Sequence, residues 1–226
     1  PAEIAAKWLK PIRNDPAFGA VCSPHEAKFL KANTSQGFTL VCPGIRPLNA
    51  DQNDQTRIAT PSEALHSGAD YIVIHWEAYS DKAMLVDSLA FIQKGGLKAG
   101  IALRPDIDIE EVLRFIEANP ALVNIISQAG VYPCFGGQTM IYSILNNVKK
   151  LDINRKEKNL DYKIMVDGGI EAEVSGRKSA WVGADILVAG SAFFGNGLRD
   201  IDTLKVAAKI LKDTSVIGEL DIYDAI

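Results

Sequence analysis

Two glycine-rich turns, VDGGI at 166–170 and VAGSAFF at 188–194, each end an apolar run in the second half of the chain. Glycine lets a backbone approach a ligand closely and adopt positive φ. Turns that follow consecutive parallel strands can present N–H groups to a phosphate. Gly168, Gly169, Gly190 and Ser191 are therefore candidate phosphate ligands, with Ser191 adding a hydroxyl. Ligand-free tight turns would explain either motif alone, but two in successive units favour phosphate. A third turn, CFGGQT at 134–139, brings Gly136 and Gly137 and either closes over a ligand or begins the next helix. Asp167, just before Gly168, stands where barrel enzymes place acids and bases. An aspartate before Gly-Gly also serves as a turn or helix cap. On the residues alone the two readings weigh equally.

The histidines are His25, His66 and His75. A metal site needs several His or carboxylate ligands converging on one point, and no His-x-Asp or His-x-x-x-His spacing occurs, so no metal site is predicted. His75 and Glu77 lie two apart at the end of an apolar run, where both would face inward. They form a candidate acid/base couple, although a hydrogen-bonded interior pair is the simpler reading. Cys22, Cys42 and Cys134 are odd in number and contain no CxxC. A disulfide framework or zinc cluster is not expected, and small buried or loop-edge thiols in a reducing compartment are.

The elements that would position these groups alternate along the chain. Runs at 18–23, 38–45, 71–77, 98–105, 123–131, 162–169 and 185–192 are almost continuously apolar, as strands buried on both faces are. Between them lie helical stretches. Thr60 and Pro61 start one, and Gly68 ends it. The stretch 106–118 carries an apolar face through Ile109, Val112, Leu113 and Ile116, and 201–211 another through Leu204, Ala207, Ala208 and Leu211. This alternation predicts an α/β fold of parallel strands, a single (β/α)8 TIM barrel spanning 1–226. Only seven strands are evident before the last helix, and a helix at 2–12 comes first. The segment SVIGEL at 215–220 is the expected eighth strand, closing a permuted α(βα)7β order with the N-terminal helix over the seam. The polar loop 47–57 reads as a surface loop.

The 226 residues are 47% hydrophobic, enough for one sizeable core. A net charge of −4 argues against nucleic acid as a partner, and the Lys/Arg-rich stretch 149–155 reads as a solvated helix end. No apolar run is long enough for a membrane span, and PAEIAAKWLK reads as an amphipathic helix, so no membrane partner and a cytoplasmic location are expected.

Two resemblances divide the chain near 71–78. From His75 to about residue 211, HWEA, KAGIALRP, YPCFGGQ, MVDGGI and VAGSAFF resemble, in order and spacing, the C-terminal half of ribulose-phosphate 3-epimerase. That resemblance implies a sugar-phosphate barrel in which Asp167 is a catalytic acid/base and metal ligand. It also implies that Gly136, Gly137, Gly168, Gly169, Gly190 and Ser191 hold the phosphate. Cys134 departs from the family glycine, and nothing matches the family's early HVDVMDG and HLMV motifs, which supply the other acid and the metal-binding histidines. From about residue 5 to 74, GAVCSPHEA, TLVCPGIRP, Gln55 and RIATPSEAL…GADYIVI resemble the C-terminal part of orotidine 5′-monophosphate decarboxylase. Its Asp/Lys array of the DxKxxD type is absent, and its terminal Gly-Arg is replaced by His75 and Trp76. Arg46 and Gln55 match ligand-loop positions of that family.

The expectation is therefore a composite, engineered or recombined barrel without a complete catalytic site. It would keep a corner for phosphate, sulfate or a sugar phosphate and need no cofactor. The alternatives are a working epimerase-like isomerase, which would use a divalent metal with His75 or Glu77 replacing the missing acid, and a sugar-phosphate-binding protein.

Overall fold

The computed structural model describes residues 2–45, 61–132 and 137–195. Each apolar run supplies one strand: β1 (Gly19–Val21), β2 (Thr39–Ile45), β3 (Tyr71–His75), β4 (Lys98–Leu103), β5 (Ile125–Ala129), β6 (Lys163–Asp167) and β7 (Ile186–Val188). All pair in parallel, in one sheet whose spatial order follows the chain. The helices are α1 (Ala2–Leu9), α2 (Pro24–Ala32), α3 (Pro61–Leu65), α4 (Lys82–Lys94), α5 (Ile109–Ala118), α6 (Ile144–Lys158), α7 (Arg177–Trp181) and α8 (Ser191–Phe194). Ser23, Asp81 and Asp108 cap α2, α4 and α5 by accepting from the amides of His25, Ala83 and Glu110. The helix expected from residue 106 thus begins at Ile109. Its buried face uses Phe115 with Ile109, Val112 and Ile116, while Leu113 is only partly covered.

The sheet separates two apolar layers. Val41, Val73, Ile125 and Met165 meet inside the barrel. Alternate residues, among them Leu40, Cys42, Ile72, Ile74, Ile101, Ile126, Ile164 and Val166, pack outward with helix residues such as Leu30, Leu89, Ile116 and Leu151. The central strands β2 to β6 are buried over most of their length, which is why they read as nearly unbroken apolar runs. Gly100 faces Ile125 in register, and a Cβ there would collide with the Ile125 side chain and carbonyl oxygen.

The end of the barrel opposite the C-terminal mouth is held by a device repeated at alternate strands. The residue just before β3, β5 and β7 (Asp70, Asn124, Asp185) accepts the amide of the second residue of the preceding strand. The three bonds are Leu40 at 2.8 Å, Ala99 at 3.0 Å and Ile164 at 2.8 Å. A long side chain near the end of α2, α4 or α6 donates to that same acceptor and to a nearby carbonyl. Lys31 reaches Asp70 and the Phe38 carbonyl, Gln93 reaches Asn124 and the Ala121 carbonyl, and Arg155 reaches Asp185 and the Tyr162 and Gly183 carbonyls. Each clamp satisfies strand-end groups that would otherwise be desolvated without a partner.

Strand β3 stops earlier than expected. The run to Glu77 was expected as strand, but Trp76–Ala78 turns into a short 3-10 helix. Trp76 is 3% exposed and packs edge-on against Phe115, with ring centroids 5.2 Å apart. The chain turns there to cover its apolar ring, so Glu77 leaves the strand alternation. His66 follows α3 in an exposed turn.

β1 and β7 are the edges of the sheet among the described residues. Ala5, Leu9 and Ile12 line one cavity together with residues of both edges, which places α1 at the seam. The proposed closing strand 215–220, the helix at 201–211 and the loop 47–57 lie outside the described residues. Among the described residues no helix is long and apolar enough to cross a membrane.

Candidate functional site

The cavity at that seam has a volume of about 1100 Å³ and reaches the C-terminal mouth of the barrel. Asp167, Gly168, Gly169, Gly137, Gly190 and Ser191 all line it. Sequence-distant residues meet here because β6 and β7 pair in register, Asp167 opposite Val188.

The VDGG turn is built by close approach. Gly168 has φ of 100°, and a Cβ on it would lie 2.7 Å from a Val131 methyl; Gly169 has φ of 68°, and a Cβ there would lie 2.6 Å from the Met140 backbone. Side chains are excluded at both positions by conformation and by space. Ser175 holds the turn by accepting the Glu171 amide at 2.8 Å and donating to the Gly169 carbonyl at 2.7 Å. On the other side the Gly130 amide donates to the Asp167 carbonyl at 2.7 Å. Gly190 has open space where a Cβ would stand, and α8 begins directly after it, with leading amides outside the helical ladder. Gly137 is exposed, with φ of 76°. Gly136 and Cys134 lie outside the described residues.

Asp167 shares the inward phase of Met165 and Lys163 on β6. Among the described residues its carboxylate takes no hydrogen bond or ion pair, and burial pushes its pKa above the ordinary aspartate value. An unpaired, desolvated carboxylate at a barrel mouth is a competent general base and, when protonated, a general acid.

His75 and Glu77 are adjacent, His75 Nδ1 lying 3.4 Å from Glu77 Oε1. Burial alone would raise the Glu77 carboxyl, but His75, its own backbone and Arg104 outweigh it, leaving the group below its usual range. Neither residue lines the cavity that contains Asp167. The structure therefore brings the glycine turns and Asp167 together and leaves the His75/Glu77 couple outside. His25 sits exposed in the first turn of α2. Among the described residues no group of three or more His, Cys, Asp or Glu side chains is arranged to hold a metal ion. Among those residues the donor set does not fit the divalent metal of the epimerase alternative.

Cys22, Tyr71 and Lys163 are among the further cavity residues that carry polar or nucleophilic side-chain atoms, with Glu26, Thr39, Gln138 and Asp185. Counting back by twos from Asp167 and His75 would have found Lys163 and Tyr71, both on the inward phase.

Comparison with known proteins follows the same division. Residues 57–194 match the ribulose-phosphate 3 epimerase family, and residues 2–74 match the orotidine 5′-phosphate decarboxylase / HUMPS family. Ribulose-phosphate 3-epimerase of Chlamydia trachomatis is 35% identical over 160 residues, 68% of this chain and 63% of that protein. Orotidine 5′-phosphate decarboxylase of Vibrio atlanticus is 55% identical over 74 residues, 33% of this chain and 32% of that protein. The chain thus spans less than two thirds of the length of these relatives. In overall fold it is similar to 3-hexulose-6-phosphate synthase from Salmonella typhimurium, with TM-score 0.66 and 13% identity over 96% of this chain and 95% of that one. Orotidine 5′-phosphate decarboxylase from Pyrococcus horikoshii is also similar, with TM-score 0.62 and 16% identity over 95% and 94% of the two chains. These likenesses establish a TIM barrel. With the match at 57–194 covering more than half of its length, the chain belongs to the ribulose-phosphate 3 epimerase family, with an N-terminal portion that matches the decarboxylase family.

Proposed function

We propose that this chain is a composite barrel that binds a phosphorylated sugar at the mouth of β6 and β7 but does not epimerise it. The phosphate would rest on Gly168, Gly169, Gly190 and Ser191, with Gly137 at the rim and the sugar carbons toward Asp167. The observation that carries this reading is the shared cavity, in which a desolvated carboxylate, unpaired among the described residues, lines the same space as three glycine turns. The matched family and the synthase-like fold support a sugar phosphate over other anions.

Inversion at a carbon beside a carbonyl requires one group to remove a proton from one face and another to return it on the opposite face. Asp167 supplies one such group. The candidate second pair is bonded to itself outside the cavity. Two family matches meeting within one continuous sheet also support a recombined origin.

Calorimetric titration with ribulose 5-phosphate and with inorganic phosphate tests the binding. Saturable heat that disappears in Ser191→Asp, which adds a negative charge at the proposed phosphate position, is expected. The absence of binding at millimolar ligand would remove the proposal. C3 epimerisation is assayed alongside, with and without divalent metal. Turnover abolished by Asp167→Asn would replace the binding reading with the isomerase one.

A further inference from the structure

We propose that Cys22 and Cys42 are a redox pair that closes into a disulfide across β1 and β2 when the protein meets a small-molecule disulfide. Val21 pairs with Val41, and the Cys22 amide continues the ladder by donating to the Val41 carbonyl at 3.0 Å. The next residues, Cys22 and Cys42, therefore stand side by side with their side chains on the same face, and their Sγ atoms are 3.8 Å apart. Neighbouring strands run about 4.8 Å apart, which lies inside the Cα separation that a disulfide spans. Closing the bond shortens the sulfur separation from 3.8 Å to about 2.05 Å. Much of that movement is available to Cys22, which lies just past a three-residue strand at the edge of the described sheet.

The two thiols have different surroundings. Cys42 is fully buried, whereas Cys22 is partly exposed and lines the cavity at the barrel mouth. The hydrogen bond with Cys22 is the largest influence raising the Cys42 pKa; burial and the Asp70 and Glu26 carboxylates act in the same direction. The cavity-facing thiol is therefore the entry point. Its thiolate attacks one sulfur of the small disulfide, forming a mixed disulfide and releasing the first small thiolate, which takes up a proton. Cys42 then gives up its proton to solvent base and attacks the Cys22 sulfur, releasing the second small thiolate. Two protein thiols are oxidised, and one small disulfide is reduced to two thiols. The reaction is reversible, and each step is ordinary exchange.

The test uses the full chain carrying Cys134→Ser, so that only the two paired thiols remain. It is equilibrated in graded mixtures of oxidised and reduced glutathione. Non-reducing digestion and mass spectrometry should show a peptide pair joining Cys22 to Cys42, with the loss of two hydrogens. The pair should be harder to reduce in the folded protein than in urea by at least about 30 mV, a tenfold change in the equilibrium constant. An equal potential in the folded and unfolded chains would overturn the proposal, as would glutathione adducts or intermolecular dimers in place of the internal bond. Intact-mass thiol counts on the parent chain, without the substitution at Cys134, keep the question answerable if the variant folds poorly. Only one of its three cysteines should remain free after oxidation, and three free thiols would refute the pairing.

Discussion

Replacing Asp185 tests the strand-end clamps most directly. Its side chain is 26% exposed, accepts the amide of fully buried Ile164 at 2.8 Å, and faces Arg155, itself 16% exposed. Asp185→Ala strips the acceptor from a buried amide, which costs about 1–3 kcal/mol, and removes a charge-assisted hydrogen bond of similar worth. Arg155 keeps Asp152, at 2.9 Å, and the two carbonyls, so the second loss falls at the low end and the sum is about 3 kcal/mol. At roughly 2–4 °C per kcal/mol for a chain of this size, Tm falls by about 6–12 °C. Asp185→Asn keeps an acceptor for Ile164 and loses only the charge, so it should cost about 1 kcal/mol. Urea unfolding at unchanged m measures both variants. A loss below about 0.5 kcal/mol for Asp185→Ala, the range of ordinary surface substitutions, or equal losses for the two variants, would refute the clamp.

Other substitutions probe the core and the site. Gly100→Ala should destabilise by about 1–3 kcal/mol, because the new methyl meets Ile125; unchanged urea stability would mean that β4 and β5 can separate without cost. Trp76→Ala should cost about 3–5 kcal/mol, since the ring is buried against Phe115, and a loss under 1 kcal/mol would contradict that packing. Tyr162→Phe removes the hydroxyl that donates to the Leu151 carbonyl at 2.7 Å and should cost about 1 kcal/mol by urea unfolding. Asp167 has a folded-state pKa above its unfolded value, so the folded state holds this proton more tightly. Its contribution to stability is then lost as pH rises from the unfolded pKa through the raised one. Asp167→Asn should stabilise the protein at neutral pH and leave stability unchanged in acid below both values. A variant less stable than its parent at neutral pH would reverse the sign.

Much of the fold was legible because β–α alternation and two-sided burial leave a direct mark on composition. All seven apolar runs became parallel strands in chain order. Boundaries were less legible, because a run does not say where the strand stops and the mouth begins. The stretch through Glu77 looked like strand, yet Trp76 turns the chain to reach Phe115, a residue far along the sequence. The glycine turns and Asp167 were singled out as candidates from their chemistry. That they share one cavity depends on the register of β6 and β7, which no local pattern encodes.

The residues by themselves determined a parallel α/β barrel and its two family resemblances, because hydrophobic periodicity and motif order are properties of the chain. They also marked Asp167 and the glycine turns as the candidate chemistry. Only the tertiary structure decided which of these groups line the same space. It set Asp167 in the cavity with the glycines and tied His75 to Glu77 outside it. It also drew Cys22 to within 3.8 Å of Cys42, when the thiols alone had suggested no pairing. The physical reason is strand register: pairing β1 to β2 and β6 to β7 converts sequence separation into contact, and that pairing exists only in the folded sheet.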